Sequence, residues 1–387
     1  MAQTKTKILT VIISLGSLLT VNGQTDPNSV IGADSGQRII TTAVPFLTIS
    51  PDARSGGMGD VGVAISPDAN SAYWNPAKLV FLDNQYGASF SYTPWLSKLV
   101  PDMSISYLSG YYKISKEEAF SLSMRYFDLG EIFFTQNGQE GTLFDPREYA
   151  IAGQYARKLT ENLSMSIGAR FIRSNLTGFY SAGNGTEARP GNSVAGDIAV
   201  YYTKDLLLSG KNTNLAFGAN ISNIGRKLTY TDEDNRDFIP TNLRLGSAIT
   251  TNLDPFNAIT FAVDFSKLMV PTPTETSNDK SLLSGMFGSF GDAPGGFSEE
   301  IKEVIIALGA EYWYNNTFAA RAGYFSESKD KGNRKYLTLG LGFRYQVFGI
   351  DFAYLVPSEQ DHPLKETLRF TLHFNMAQEG EEESIVE

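Results

Sequence analysis

The sequence predicts an all-β fold, a 14-stranded antiparallel transmembrane barrel with an N-terminal plug segment and long extracellular loops. Three observations carry this reading. Apolar and polar residues alternate with period two through most of the chain, no segment after the N-terminus is apolar for long enough to make a membrane helix, and the connections between strands sort alternately into long and short.

Composition agrees. Of 387 residues, 42% are hydrophobic and 12% aromatic, with 36 Gly, 19 Tyr, 25 Phe and no Cys, which is enough for a large core built without disulfides and rich in strands and turns. The chain is predicted to begin with a cleaved signal peptide at 1–23, because Lys5 and Lys7 precede an apolar stretch at 8–19 and Val21, Asn22 and Gly23 offer compact residues to a signal peptidase. Thr10, Ser14, Gly16 and Ser17 interrupt that stretch, so it falls short of a bilayer anchor. Removing 1–23 takes two lysines and no acid, leaving 30 basic against 42 acidic residues, a net charge of −12. A field of that sign argues against nucleic acid and anionic lipid surfaces as electrostatic partners.

The strands follow in order. The expected segments are 85–92, 103–114, 119–127, 148–158, 162–173, 193–202 and 214–222, then 241–250, 258–266, 304–314, 318–325, 336–346, 349–356 and 367–374. In the third, Phe120, Leu122, Met124 and Tyr126 alternate with Ser121, Ser123 and Arg125; in the fifth, Leu163, Met165, Ile167, Ala169 and Phe171 alternate with Ser164, Ser166, Gly168 and Arg170. The twelfth sets Leu339, Leu341 and Phe343 against Gly340, Gly342 and Arg344, and the last sets Leu368, Phe370, Leu372 and Phe374 against Arg369, Thr371 and His373. A sandwich with one wet face would show the same alternation. It would not sort its connections, which run from 10 to 37 residues after odd strands and from 2 to 11 after even ones. Short periplasmic turns and long outer loops give that pattern, and the even count puts both chain ends in the periplasm.

Charges share the face opposite the apolar one: Arg125, Arg170, Arg244, Arg321, Arg344 and Arg369, with Asp197, Asp264, Glu311 and Asp351. Facing lipid near the midplane, each arginine would cost about 2–4 kcal/mol, so this face is the interior. Tyr92, Tyr107, Tyr312, Tyr314, Tyr324, Tyr345 and Tyr354 fall in the apolar phase, many near strand ends, where aromatic girdles meet headgroups.

Two segments do not read as wall. Residues 42–82 contain Ala53-Arg54-Ser55-Gly56-Gly57-Met58-Gly59-Asp60 and, later, Trp74-Asn75-Pro76-Ala77-Lys78-Leu79. Gly57, Gly59 and Gly62 match G-x-G-x-x-G without the βαβ setting that a dinucleotide site needs, so they read as turn glycines. The Gly-Met-Gly-Asp run followed by Asn-Pro-Ala resembles the N-terminal hatch of the long-chain fatty-acid transporter superfamily, whose barrels have 14 strands; Lys78 stands where that family usually has Gly. The second segment is 267–303. Leu282, Leu283, Met286, Phe287 and Phe290 have helical spacing, and Ser298 is positioned to cap a short helix from Glu299. Its run Ser289-Phe290-Gly291-Asp292-Ala293-Pro294-Gly295-Gly296-Phe297 resembles one characteristic of the PorV family of the type IX secretion system. With the hatch run and the strand layout, the resemblance covers nearly all of 24–375. It implies a Gram-negative outer-membrane protein that binds the C-terminal signal domains of exported cargo, docks on a very large translocon barrel and delivers cargo to a surface attachment complex.

No enzyme chemistry stands out. Asp232, Glu233, Asp234 and Asp237 form an acidic run, but an EF-hand loop from Asp232 would need Gly at Asp237 and Glu at Leu243. His362 and His373 are the only histidines, one in an outer loop and one on the last strand, and no G-x-S-x-G elbow is present. A lipid A deacylase role, proposed within the PorV family, therefore finds no visible triad, and neither cofactor nor metal is expected. The resulting organisation is signal peptide 1–23, periplasmic segment and hatch 24–84, barrel 85–374 and acidic tail 375–387. Two functions compete. A protein carrier would use loop residues Trp95, Leu96, Phe133, Phe134, Phe179, Tyr180, Met286, Phe287 and Phe290 as docking anchors, whereas a transporter would pass a hydrophobic small molecule through the lumen.

Overall fold

A computed structural model describes residues 39–376 apart from 97–99, 101, 137–138, 177–179, 182–186, 232–235, 275–276, 359–363 and 365–366. The expected signal peptide, the acidic run at 232–234, His362, Phe179 and most of the expected C-terminal tail lie outside the described residues.

Fourteen strands close into one barrel. They are β1 Tyr86–Pro94, β2 Ser104–Lys113, β3 Glu118–Asp128, β4 Arg147–Lys158, β5 Leu163–Asn175, β6 Gly191–Leu208 and β7 Lys211–Gly225, followed by β8 Asn242–Asp254, β9 Asn257–Leu268, β10 Ile305–Tyr314, β11 Phe318–Ser326, β12 Lys335–Tyr345, β13 Phe348–Pro357 and β14 Leu368–Met376. Each pairs antiparallel with its sequence neighbours, and β1 closes on β14 from Tyr86↔Met376 to Tyr92↔Phe370. Two short hairpins stand in the outer loops, Ile132–Gln136 with Gln139–Phe144 and Tyr180–Ser181 with Glu187–Ala188.

The wall is apolar outside and polar inside. Phe90, Leu108, Leu122, Ile167, Phe261 and Leu341 are exposed, while Ser89, Ser91, Ser109, Ser121, Ser166 and Thr371 are buried. Water would not tolerate so continuous an apolar exterior, but lipid does. Nine of the ten interior charges are buried, and Arg344 is half-buried.

Several expectations change in detail. The connections at 203–213 and 251–257 shrink to two residues each, Ser209 with Gly210 and Pro255 with Phe256. Lys204-Asp205-Leu206-Leu207-Leu208 breaks the alternation, yet ladder pairing depends on backbone and continues through Asp205↔Asn214 to Leu208↔Lys211. Positive φ at Ser209 (50°) and Gly210 (77°) then closes a tight hairpin. Tyr107 faces inward, not to lipid: it is buried, with its ring edge-on to Tyr73 at 6.3 Å. The helix expected to be capped by Ser298 starts at Phe297 after Gly296, whose φ of 66° turns the chain into it. The helix expected from the 282–290 spacing spans Leu282–Gly288, with the Ser281 hydroxyl accepting from the Ser284 amide.

Candidate functional site: the plugged lumen and the loop over the outer wall

Residues 45–81 fold as short helical turns, Pro45–Thr48, Ala53–Gly56, Ser71–Trp74 and Pro76–Phe81, and fill the interior. Their positions follow from the Gly-rich run, which lets plug backbone touch wall backbone. A Cβ on Gly323 would sit 2.0 Å from the Gly59 nitrogen, and one on Gly57 would sit 2.9 Å from the Gly340 Cα. Gly59 itself has φ of 73°, a conformation open to glycine. The amides of Gly62 and Val63 both donate to Asp264 Oδ2, at 2.7 and 2.9 Å. The G-x-G-x-x-G spacing thus serves close approach to protein, not phosphate binding.

The Asn-Pro-Ala-Lys run ties the plug to itself and to the wall. Asn75 Nδ2 donates to the carbonyls of Val63 (3.1 Å) and Val200 (3.0 Å), and its Oδ1 caps the following turn at Ala77. Lys78 donates to the Gly62 and Ile65 carbonyls. Further contacts go round the barrel: Ala53 N to Thr371 Oγ1, Gly59 N to Thr338 Oγ1, Asn220 Nδ2 to the Trp74 carbonyl, Gln154 Nε2 to the Ala72 carbonyl and Arg125 Nη1 to the Phe46 carbonyl.

Seven of the ionic residues join in one chain of contacts. Arg54 bridges Asp68 (3.0 Å) and Glu311 (2.8 Å); Arg321 bridges Glu311 (2.7 Å) and Asp351 (2.9 Å); Asp351 also receives Arg344 (2.7 Å) and His373 (2.6 Å). Arg369 pairs with Asp60, whose Oδ2 accepts from Tyr336. Arg244 donates to Tyr73 and lies over the Trp74 ring. Buried charges are tolerable only when partnered in this way. Above the plug a small cavity of about 80 Å³ remains, lined by Asp60, Trp95, Arg244, Asp264, Arg334 and Arg369 among others.

Outside the mouth, the 269–304 loop descends over the outer wall. Lys267 sits in the outward phase of β9, where lipid would penalise it, and is buried by Glu300 (3.2 Å) and Glu303. Glu303 also receives Lys331 (2.9 Å) and Thr272 Oγ1 (2.9 Å). Burial lowers the Lys331 ammonium, but hydrogen bonds and charge from Glu299 and Glu303 outweigh it and hold its pKa above the usual lysine value. The loop is thereby clamped by several ion pairs.

The expected docking residues separate into groups. Trp95 and Leu96 are half-buried and pack on the core beneath the mouth. Phe133, Phe134 and Tyr180 lie on the backbone of the two outer hairpins. Met286 is buried, whereas Phe287 and Phe290 are exposed, at 69% and 48%. Sequence reading missed Leu283, Phe297 and Ile301, which are also exposed; the i, i+4 spacing of Phe297 and Ile301 was the available signal.

A search of curated proteins finds no match. Among solved structures, the chain is similar to the TodX ΔS2S3 mutant monoaromatic hydrocarbon channel, with a TM-score of 0.51 at 14% identity, over 84% of this chain and 99% of that one. The Ralstonia pickettii toluene transporter TbuX is similar with a TM-score of 0.46 at 13% identity, over 84% and 98%. At 14% identity the likeness to the TodX variant speaks to the fold alone, an outer-membrane barrel. Residues 32–275, more than half of the chain, match the family described as Type IX secretion system protein PorV, and the chain belongs to that family.

Proposed function

We propose that this protein is a non-enzymatic carrier of the type IX secretion system, receiving the C-terminal signal domains of cargo from the large translocon barrel and passing them to the surface attachment complex. Family membership makes it an outer-membrane component of that system. The observation that carries the finer reading is the contrast between a lumen tied shut by plug contacts and an outer loop that displays Leu283, Phe287, Phe290, Phe297 and Ile301. Apolar groups held out on a clamped loop suit protein docking. Affinity purification from native outer membranes, followed by mass spectrometry, should recover the translocon, cargo bearing the signal domain and attachment proteins. Recovery of the barrel alone would count against the carrier.

The second reading is transport of a hydrophobic small molecule. The TodX variant it resembles is a monoaromatic hydrocarbon channel. That reading requires the plug to move, and it predicts that deleting the gene abolishes uptake of a hydrophobic nutrient while secretion continues.

A further inference from the structure

We infer that the underside of the 269–304 loop grips an acyl chain of a lipid in the outer leaflet. A groove of about 270 Å³ runs between the outer wall and the loop, with Leu243, Leu245 and Phe265 on the wall side and Phe290, Phe297, Ile301 and Val304 on the loop side. Lys267 and Glu300, already paired, form its polar end.

The occupant follows from position. Leu245 and Phe265 are opposite one another on β8 and β9, and Phe265 continues the outward row formed by Ile259, Phe261 and Val263. That row is the lipid-facing surface of an outer-membrane barrel, so the groove opens from a surface lipid already covers. Phe265 lies three residues from the outer end of β9 at Leu268, about 10 Å along the strand, which places the groove at the upper rim of the apolar band. Its roof cannot swing away freely, because Glu300 and Glu303 are fixed to Lys267 beside it. Phe297, at 80% exposure, has little covering among the described residues and stands at the groove's lipid-facing side. The inference needs only the barrel's place in the membrane; of the loop residues offered for docking, Phe290, Phe297 and Ile301 line this groove, whereas Leu283 and Phe287 do not.

A tryptophan reporter tests it cleanly. The three native tryptophans are turned inward: Trp74 is in the plug, Trp95 packs on the core under the mouth, and Trp313 lies beside Arg321 and Arg344. Phe297→Trp and, as a wall control, Phe265→Trp should be reconstituted in phosphatidylcholine vesicles with or without mid-chain bromine. The expected result is quenching of Phe297→Trp by the brominated lipid several-fold above wild type and comparable to Phe265→Trp, with little quenching by aqueous iodide. Quenching by iodide and not by bromine, while Phe265→Trp still responds to bromine, would overturn the inference. So would a shielded emission that appears only when envelope proteins are added, because the occupant would then be protein. An Ile301→Trp reporter must give the same answer if Phe297→Trp fails to assemble.

Discussion

Arg54 of the plug forks onto Glu311 of β10, its Nε and Nη2 reaching the two carboxylate oxygens at 3.0 and 2.8 Å. Both side chains are buried, and Glu311 also holds Arg321. Removing one partner strands a charge, at a cost of about 3–5 kcal/mol, whereas removing both can cost little. Arg54→Met leaves Glu311 its Arg321 partner but strands Asp68, so it should loosen the plug more than Arg54→Met combined with Asp68→Asn. Planar-bilayer conductance checks this: it should be low in the native protein, raised in the single variant and reduced again in the double one. Conductance that rises steadily with the number of substitutions would contradict the argument.

Gly323 gives a steric test of the same lumen. An added Cβ would lie 2.0 Å from Gly59 N and 2.1 Å from the Met58 carbonyl carbon, and backbone cannot yield as a flexible side chain would. Gly323→Val should displace the plug and open a current. Gly110→Val, whose nearest neighbour is 3.5 Å away, should leave conductance near the native level. Equal currents from the two would sink the claim that the plug is seated on wall glycines.

Wall and plug differ in how far they can be read from sequence. Strand phase is a one-dimensional signal, so Phe120 and Ser121 declare their faces without knowledge of any partner. Tyr107 broke the rule because its environment is set by Tyr73, which approaches from the plug, and by Arg125, its cross-strand partner on β3. Ring chemistry alone cannot separate a lipid girdle from a cation-lined interior. The same limit applies to the loop. Helical spacing exposed 282–288 correctly, but the choice between buried Met286 and exposed Phe287 depends on what lies beneath, including Phe238 packed against Gly285. Lys267 was legible as a charge but not as one turned outward and neutralised by Glu300 and Glu303, since those partners lie 33 and 36 residues away in sequence.

Topology can be tested with single cysteines, because the native chain has none. Gly291 has open space around it in the 269–304 loop, and Lys116 lies in the turn between β2 and β3. On intact cells, a membrane-impermeant maleimide should label Gly291→Cys and not Lys116→Cys. Permeabilising the outer membrane should make Lys116→Cys reactive. The opposite order would invert the barrel.

The carrier function rests on outer-loop side chains, and the structure narrows which ones a test should change. Met286 is buried, so replacing it would disturb packing beneath the helix and confuse binding with folding. Phe287 and Phe290 are exposed, and their truncation leaves the wall strands and the ion pairs between Lys267, Glu300, Glu303 and Lys331 in place, removing from the clamp only the Phe290 ring beside Lys267. Interface aromatics of this kind typically contribute about 2 kcal/mol or more each when they anchor a partner, enough to weaken binding by more than about tenfold. Phe287→Ser combined with Phe290→Ser should keep heat-modifiable migration on gels while sharply reducing co-purification of cargo or translocon and lowering secretion. If partners and secretion persist at native levels in a properly assembled variant, these two residues are not the anchor. If secretion persists even without the protein and uptake of a hydrophobic nutrient fails instead, the transporter reading replaces the carrier.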